Sequence, residues 1–333
     1  FKVKTRLTPY DELTVMALAG VDRMELNTDL AGEDEGSDYI LSYLPKIEQE
    51  TFTVGASYRH YAGRHVQTYV LSHNYLNDKN LKYRNNDEST EENLTLRLRS
   101  TEQKTTFRAE NMTTLSGGWT LKEGAELNYM DYTDQLVLTG ALNDIGEALT
   151  ENVPNSYRMG IELILGIKPC KWFQWDINAT WSKNRIKNFV ENIPIYDGWN
   201  LLDIVSVSHK STRIAFSPDF LLNNRFAFTY QGFEAALQSQ FVGKQYMTNA
   251  EVEALTLDKY FVSNLNLAYT FKPRKVVKEV TLGVTVYNLF NEEYENNGWA
   301  SSSYDKDVNH RINSAGYAAQ AGTNVMGHVS FRF

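Results

Sequence analysis

The final ten residues constrain this chain more than any other stretch. Val325, Gly327, Val329, Phe331 and Phe333 take every second position, with Asn324, Met326, His328, Ser330 and Arg332 between them. A period of two is that of a β-strand, whose successive side chains point to opposite faces. Val280, Leu282, Val284 and Val286 alternate in the same way with Thr281, Gly283, Thr285 and Tyr287. A soluble sheet has no use for apolar alternation running to a terminal phenylalanine; a strand with one face in lipid does. Between the two runs lie Asn288, Leu289, Phe290 and Asn291, and then a polar, aromatic segment reaching Thr323.

Composition removes the other membrane solution. Hydrophobic residues make up 42% of the chain and mean hydropathy is −0.44, with no apolar run long enough for a transmembrane helix. A barrel escapes that test, because half of each strand faces a polar interior. The 20 Tyr and 16 Phe suit strands and interfacial girdles alike. A net charge of −8 argues against nucleic acid as a partner. Cys170 is the sole cysteine, which excludes an internal disulfide. No charged-plus-apolar leader precedes Phe1–Thr5, which already alternate, so no signal peptide is expected and the chain reads as a piece of a longer precursor.

Short turns and long polar loops take turns along the chain. Phe1–Leu7 and Glu12–Leu26 read as strands around a Thr8-Pro9-Tyr10-Asp11 turn, with a loop over Asn27–Glu50. Thr51–His60 and Arg64–Tyr75 follow, then a loop over Leu76–Gln103. Lys104–Thr113 and Trp119–Tyr132 flank a Gly117-Gly118 turn, and Thr133–Asn155 is a loop. Tyr157–Ile167 pairs with a strand placing Phe173, Trp175, Ile177, Ala179 and Trp181 on one face and Gln174, Asp176, Asn178, Thr180 and Ser182 on the other. After a loop from about Val190 to Pro218 come Phe220–Tyr230 and Gly232–Val242, a loop over Gly243–Leu257, the strand Asp258–Phe271 and a turn over Lys272–Glu279. The fold class is all-β, an antiparallel transmembrane β-barrel wall of about thirteen strands, each near the ~9–11 residues that a tilted spanning strand needs. The register places Leu265 outward and Asn266 inward.

Val286-Tyr287-Asn288-Leu289-Phe290-Asn291-Glu292-Glu293-Tyr294, a long loop and a last strand ending in phenylalanine resemble the end of a TonB-dependent outer-membrane receptor. The resemblance implies that Asn288, Leu289, Phe290 and Asn291 form the family motif leaving the penultimate strand. It implies that Val329, Phe331 and Phe333 belong to the signal read by the barrel-assembly machinery. Plugged barrels of this kind have ~22 strands, so residues 1–333 would be the C-terminal part of the barrel, strands ten to twenty-two, with the plug domain and TonB box outside this chain. Implied partners are the TonB energy-transducing complex, outer-membrane lipid and lipopolysaccharide, and a surface lipoprotein in some members. The implied location is the outer membrane of a Gram-negative bacterium. The implied function is import of a scarce, bulky nutrient, foremost a siderophore-type iron chelate, with cobalamin and glycans behind it. Passive porin-like diffusion is the alternative.

Nothing in the residues calls for catalysis. The six histidines accompany no G-x-S-x-G, H-E-x-x-H or C-x-x-C pattern, so no catalytic residue, metal site or cofactor is assigned. Glu33-Asp34-Glu35-Gly36-Ser37-Asp38 offers hard oxygen ligands around a glycine but lacks the order of a calcium loop. Haem is not supported, since Phe107-Arg108-Ala109 runs into Glu110. For ligand contact the expectation falls on Trp299, Tyr304, Arg311 and Tyr317, with Tyr196 and Trp199 across from them. Rigid aromatics and a guanidinium over a lumen suit a ring-bearing or chelate ligand. The same residues equally suit packing of the loop against its neighbours.

Overall fold

A computed structural model describes residues 1–143, 146–273, 277–308 and 310–333. Its strands are β1 Lys2–Thr8, β2 Asp11–Met24, β3 Lys46–Ala62, β4 His65–Tyr83, β5 Leu94–Thr114 and β6 Thr120–Leu142. They continue as β7 Ala148–Cys170, β8 Phe173–Asp197, β9 Asn200–Arg213, β10 Phe220–Tyr230, β11 Phe233–Val242 and the short β12 Gln245–Tyr246 and β13 Thr256–Leu257. The last are β14 Tyr260–Phe271, β15 Glu279–Tyr287, β16 Glu295–Asp305, β17 Ile312–Ala319 and β18 Asn324–Arg332; one α-helix, α1, spans Glu35–Tyr43. The wall is a single sheet in the order β1-β2-β3-β4-β5-β6-β7-β8-β10-β11-β14-β15-β18. Its thirteen members are the thirteen runs expected from alternation.

Register follows from aligning the apolar rows of neighbouring strands on one face. Val3, Val15, Ala56, Leu71, Phe107, Leu127, Ile161 and Trp181 are cross-strand partners in one continuous row. Trp175, Phe226, Leu237, Leu265, Val286 and Val325 form another. Asn266 lies on the opposite face between Ala236 and Thr285, where the Thr285 hydroxyl donates to Asn266 Oδ1 at 2.8 Å. A one-residue slip would turn both rows over, so the expected facing of Leu265 and Asn266 is the one present. Stacked rings bound the apolar band, with Phe52 and Tyr75 centroids 5.1 Å apart and Tyr58 and Tyr69 6.3 Å apart. The few polar atoms on this face pair with each other. Ser239 and Ser263 hydroxyls are 2.8 Å apart, and Trp175 Nε1 donates to Asn224 Oδ1 at 2.6 Å, as burial in lipid demands.

Three expected loops are not loops. Leu76–Gln103, Thr133–Asn155 and Val190–Pro218 lie largely within β4 and β5, β6 and β7, and β8 and β9, which run up to 25 residues. The apolar contrast changes phase where the strands leave the band: Leu96, Leu98 and Ile186 point to the polar face while Arg97, Arg99 and Lys187 point to the apolar one. β9 and β10 are one interrupted strand, since β8 pairs with β10 through Trp181↔Phe220 and with β9 from Arg185↔Arg213. The acidic stretch at 33–38 starts a helix: Asp34 caps α1 by accepting Ser37 N at 2.9 Å and Ser37 Oγ at 2.6 Å. Those bonds hold its carboxyl below the usual range. Of the turn expected over Lys272–Glu279, residues 274–276 lie outside the described residues.

Candidate functional site

The short turns gather at one end of the wall, and the long connections build a packed head at the other. The connection 243–257, expected to be a plain loop, folds back onto β6. Gly140 permits this: its φ is +92°, and a Cβ there would sit 2.1 Å from the Met247 carbonyl oxygen. Met247, Leu255 and Leu257 are buried with Ala300 of β16, against Phe216, Val252 and Ala315. Beside them Val137, Val153, Ile186, Phe189 and Ile214 form a second cluster, on which Ala250 packs.

Polar groups sew this head together. Asn249, 2% exposed, donates to the Leu138 carbonyl at 2.9 Å and to Glu151 Oε1 at 3.0 Å, and accepts Ala215 N at 2.9 Å. Glu251 Oε1 accepts Arg185 Nη1 at 2.5 Å and Arg213 N at 3.0 Å, so it fills the gap where β9 breaks from β10. Burial pushes the Glu151 carboxyl up from its ordinary value. A carboxyl raised on folding holds its proton more tightly in the folded state. Its contribution is therefore complete at low pH and lost as pH rises through the folded pKa. Glu151→Gln keeps the acceptor for Asn249 and removes the charge. The variant is expected to hold the head more firmly than wild type near neutrality, and equally firmly in acid. Amide exchange of 246–250 at about pH 4 and about pH 7 checks this, and equal protection at both pH values would contradict it.

The last long connection is a hairpin, β16–β17, that reaches back to β8. Tyr304 and Asp305 pair in parallel with Ile195 and Tyr196. Lys306 then donates its backbone N–H to the Tyr196 carbonyl at 2.9 Å, and its ammonium lies 2.9 Å from Asp197. Glu191 of β8, with its side chain 11% exposed, clasps the turn end of the hairpin. It takes Arg311 Nη1 at 3.1 Å and Arg311 Nη2 on its other oxygen, and lies 3.2 Å from His209 Nε2. Arg311 also donates to Ser302 Oγ at 2.7 Å and Asn313 Oδ1 at 3.1 Å.

The expected ligand residues divide on this geometry. Tyr304 and Tyr196 come to neighbouring positions on paired strands but face opposite sides, since Tyr304 pairs with Ile195 and Tyr196 with Asp305. Trp299 crosses its own hairpin: a Cβ on Gly316 would meet the indole at 2.2 Å. Tyr317 sits opposite Gly298 and is exposed. Trp199 stands at the β8–β9 tip, 99% exposed. Arg311 is committed to Glu191. The motif Asn288-Leu289-Phe290-Asn291 clamps the foot of this connection. Asn288, at φ 49°, donates to the Glu292 and Ala321 carbonyls at 2.8 and 3.1 Å, and Asn291 Oδ1 accepts Thr323 N at 2.9 Å. Leu289 N donates to the Ser263 carbonyl at 2.7 Å, while Phe290 is exposed. Asparagine suits both left-handed positions and supplies the side-chain bonds. Among the described residues no His, Cys, Asp and Glu cluster is arranged to hold a metal. Gly140, Glu191, Asn249 and Glu251 were not singled out in the sequence, because each acts through a partner between 38 and 120 residues away.

A thirteen-strand antiparallel wall with an apolar face, ring girdles, short turns at one end and a folded head at the other defines a transmembrane β-barrel of the outer-membrane type. The family model described as TonB dependent receptor-like, beta-barrel matches residues 105–289, and the chain belongs to that family. No curated protein matches it. Among solved structures, the Serratia marcescens hemophore receptor HasR, in complex with its hemophore HasA and heme, is similar at a TM-score of 0.50 and 9% identity, over 99% of this chain and 50% of that one. The siderophore receptor PirA of Pseudomonas aeruginosa is similar at 0.46 and 9%, over 98% and 51%. The FrpB iron transporter of Neisseria meningitidis is similar at 0.46 and 12%, over 98% and 54%. The chain thus spans about half the length of these three.

Proposed function

We propose that this chain is the C-terminal part of an outer-membrane receptor that imports a scarce, bulky nutrient, foremost a siderophore-type iron chelate, with energy delivered through TonB. The observation carrying this reading is the folded head, whose clasped hairpin and inserted 243–257 segment sit at the mouth of a polar-faced wall. A diffusion pore needs an open mouth; a receptor needs a surface there. On this reading the free edges of β1 and β18 pair with further strands of the same receptor, since unpaired edges are not tolerated in lipid. A plug domain with its TonB box would occupy the lumen. Tyr304 and Tyr317 on one face of the hairpin, Trp299 and Tyr196 on the other, and Trp199 at the β8–β9 tip are the proposed ligand contacts, and Arg311 shapes the hairpin through Glu191. The surrounding partners would be outer-leaflet lipid and, at the exposed head, a surface lipoprotein.

The test is equilibrium binding of candidate chelates to the complete receptor and to Trp299→Ala and Tyr304→Ala. Loss of an anchoring ring is expected to weaken binding by roughly 1–3 kcal/mol; unchanged affinity in both returns these rings to loop packing. Growth on the bound chelate that survives deletion of the TonB box would replace energised import by passive entry.

The last strand is proposed as the assembly signal. Val329 and Phe331 pair with Leu282 and Val280, and Lys278 Nζ donates to the Phe333 carbonyl at 3.0 Å. Phe333→Asp is expected to lower the amount of receptor in isolated outer membranes several-fold. Quantitative immunoblotting at wild-type levels would remove that role.

A further inference from the structure

A short length of open sheet edge stands on the head. β8 carries β16 on one side, through Tyr304↔Ile195, and β9 on the other. Among the described residues no strand pairs with the far side of β9. The register shows which of its groups are left over. The Tyr196 carbonyl turns away from β9 to accept Lys306 N at 2.9 Å. Direction alternates along a strand, so Pro194, Asn192 and Val190 turn away with it. Pro194 has no N–H to offer β9 in any case. Their antiparallel partners Ile204, Ser206 and Ser208 therefore point their N–H and C=O groups off the sheet. Ile204 agrees with this: its N–H goes to the neighbouring Asp203 carboxylate at 2.8 Å and not to β8. Among the described residues nothing takes the N–H groups of Ser206 and Ser208.

The open edge is bounded at both ends. Below it β8 kinks at Asn188, whose φ is 54°. Lower still, the same side is occupied by the inserted segment, with Arg213 N on Glu251, Ala215 N on Asn249 and Phe216 N on the Tyr246 carbonyl. Above it the strands close into their turn at Asp197↔Asn200. What remains is residues 204–208, about 17 Å of strand. The long edge of a folded sheet would run into 243–257 there. A short extended segment would not.

The side chains do nothing to deter pairing. Edge strands are commonly protected by lysine or proline. Residues 200–209 contain neither, and Leu201, Leu202, Ile204 and Val205 are exposed. A two-stranded ribbon with both faces bare gains stability from a third strand. Asp203 is exposed beside the edge and forms no ion pair among the described residues, so it favours a cation on whatever lies opposite.

We propose that residues 204–208 of β9 bind an extended peptide of about six residues as an added strand, main chain to main chain. Ser206 and Ser208 supply the backbone bonds. Apolar side chains opposite Ile204 and Val205, and a lysine or arginine opposite Asp203, set the preference. A second receptor in the same membrane cannot be the antiparallel partner, because pairing two β9 strands that way would turn one barrel upside down. The site uses none of the proposed chelate contacts, so failure of any chelate to bind leaves it standing.

The experiment titrates a fluorescently labelled hexapeptide, alternating valine and threonine and ending in arginine, onto the complete receptor in detergent, read by polarisation. Only protein with the heat-modifiable mobility of a folded barrel is counted. Saturable binding is expected. Ser206→Pro with Ser208→Pro should weaken it about tenfold or more, since each proline removes an outward N–H and leaves the ladder to β8 intact. Ser206→Ala with Ser208→Ala keeps both N–H groups and loses only side-chain bonds such as that from Ser206 Oγ to Asn192. It should bind within about twofold of wild type. Absence of saturable binding, or equal binding by the proline variant, would overturn the proposal. Equal loss in the alanine variant would also do so, by assigning the contact to the hydroxyls. Receptor dimers in native mass spectrometry that form without peptide and vanish in the proline variant would give the edge to a second copy instead.

Discussion

Glu191→Ala is expected to free the β16–β17 hairpin from β8. The substitution leaves Arg311 and His209, both largely covered, without the carboxylate that holds them at 3.1 and 3.2 Å. Breaking one side of a buried pair costs about 3–5 kcal/mol. Partial exposure of both side chains lowers the figure to about 2–3 kcal/mol. Amides of 298–305 and 312–318 should then exchange roughly 30- to 150-fold faster, with the lower wall unaffected. Lys306 to Asp197 and the Tyr304↔Ile195 bridge remain, so the hairpin should loosen rather than unfold. Exchange at the wild-type rate would show that these backbone pairings alone hold it.

Gly140→Ala should do more damage than its size suggests. Left-handed backbone costs a non-glycine residue about 1–3 kcal/mol, and the new Cβ would also lie 2.1 Å from the Met247 carbonyl oxygen. Gly63 separates the two effects. Its φ is +60° with nothing within 4 Å, so Gly63→Ala carries the conformational cost alone. The Gly140 variant is expected to lose at least about 2 kcal/mol more than the Gly63 variant. The loss should be read as faster exchange across 245–257 and earlier thermal exposure of Met247. Matching losses in the two variants would mean that 243–257 does not press on β6 as described.

The wall was legible because lipid enforces the alternation that sequence reading looks for. Trp175, Ile177, Ala179 and Trp181 against Gln174, Asp176, Asn178 and Thr180 could face only one way. Above the girdle both faces meet water or protein, and the signal changes phase or breaks. Ile186 turns inward to a buried cluster, and Asp134 and Asn188 enter the left-handed region within long strands. The strands therefore seemed to stop where only the bilayer stopped. The β16–β17 hairpin was hidden for another reason. Ser301, Ser302 and Ser303 face Ser314, Asn313 and Ile312, a pairing with almost no hydrophobic contrast. Of the ligand expectations, Tyr196 and Tyr304 reached neighbouring positions on paired strands but opposite faces, while Arg311 could not be seen as a clasp without Glu191 beside it.

The break between β9 and β10 also sets an order of events. Its backbone donors are taken by distant residues: Arg213 N by Glu251, Ala215 N by Asn249, and Phe216 N by the Tyr246 carbonyl. Those acceptors emerge some thirty residues later in the chain, and Asn249 must also find Leu138, 111 residues before it. Closing such spans is entropically slow compared with zipping adjacent hairpins. The membrane wall can therefore form strand by strand while its upper rim stays unfinished, and the rim sets only after the β11–β14 hairpin has crossed. The mouth is thereby a folding unit of its own, closed by buried Met247, Asn249, Leu255 and Leu257 on a wall that can form without it.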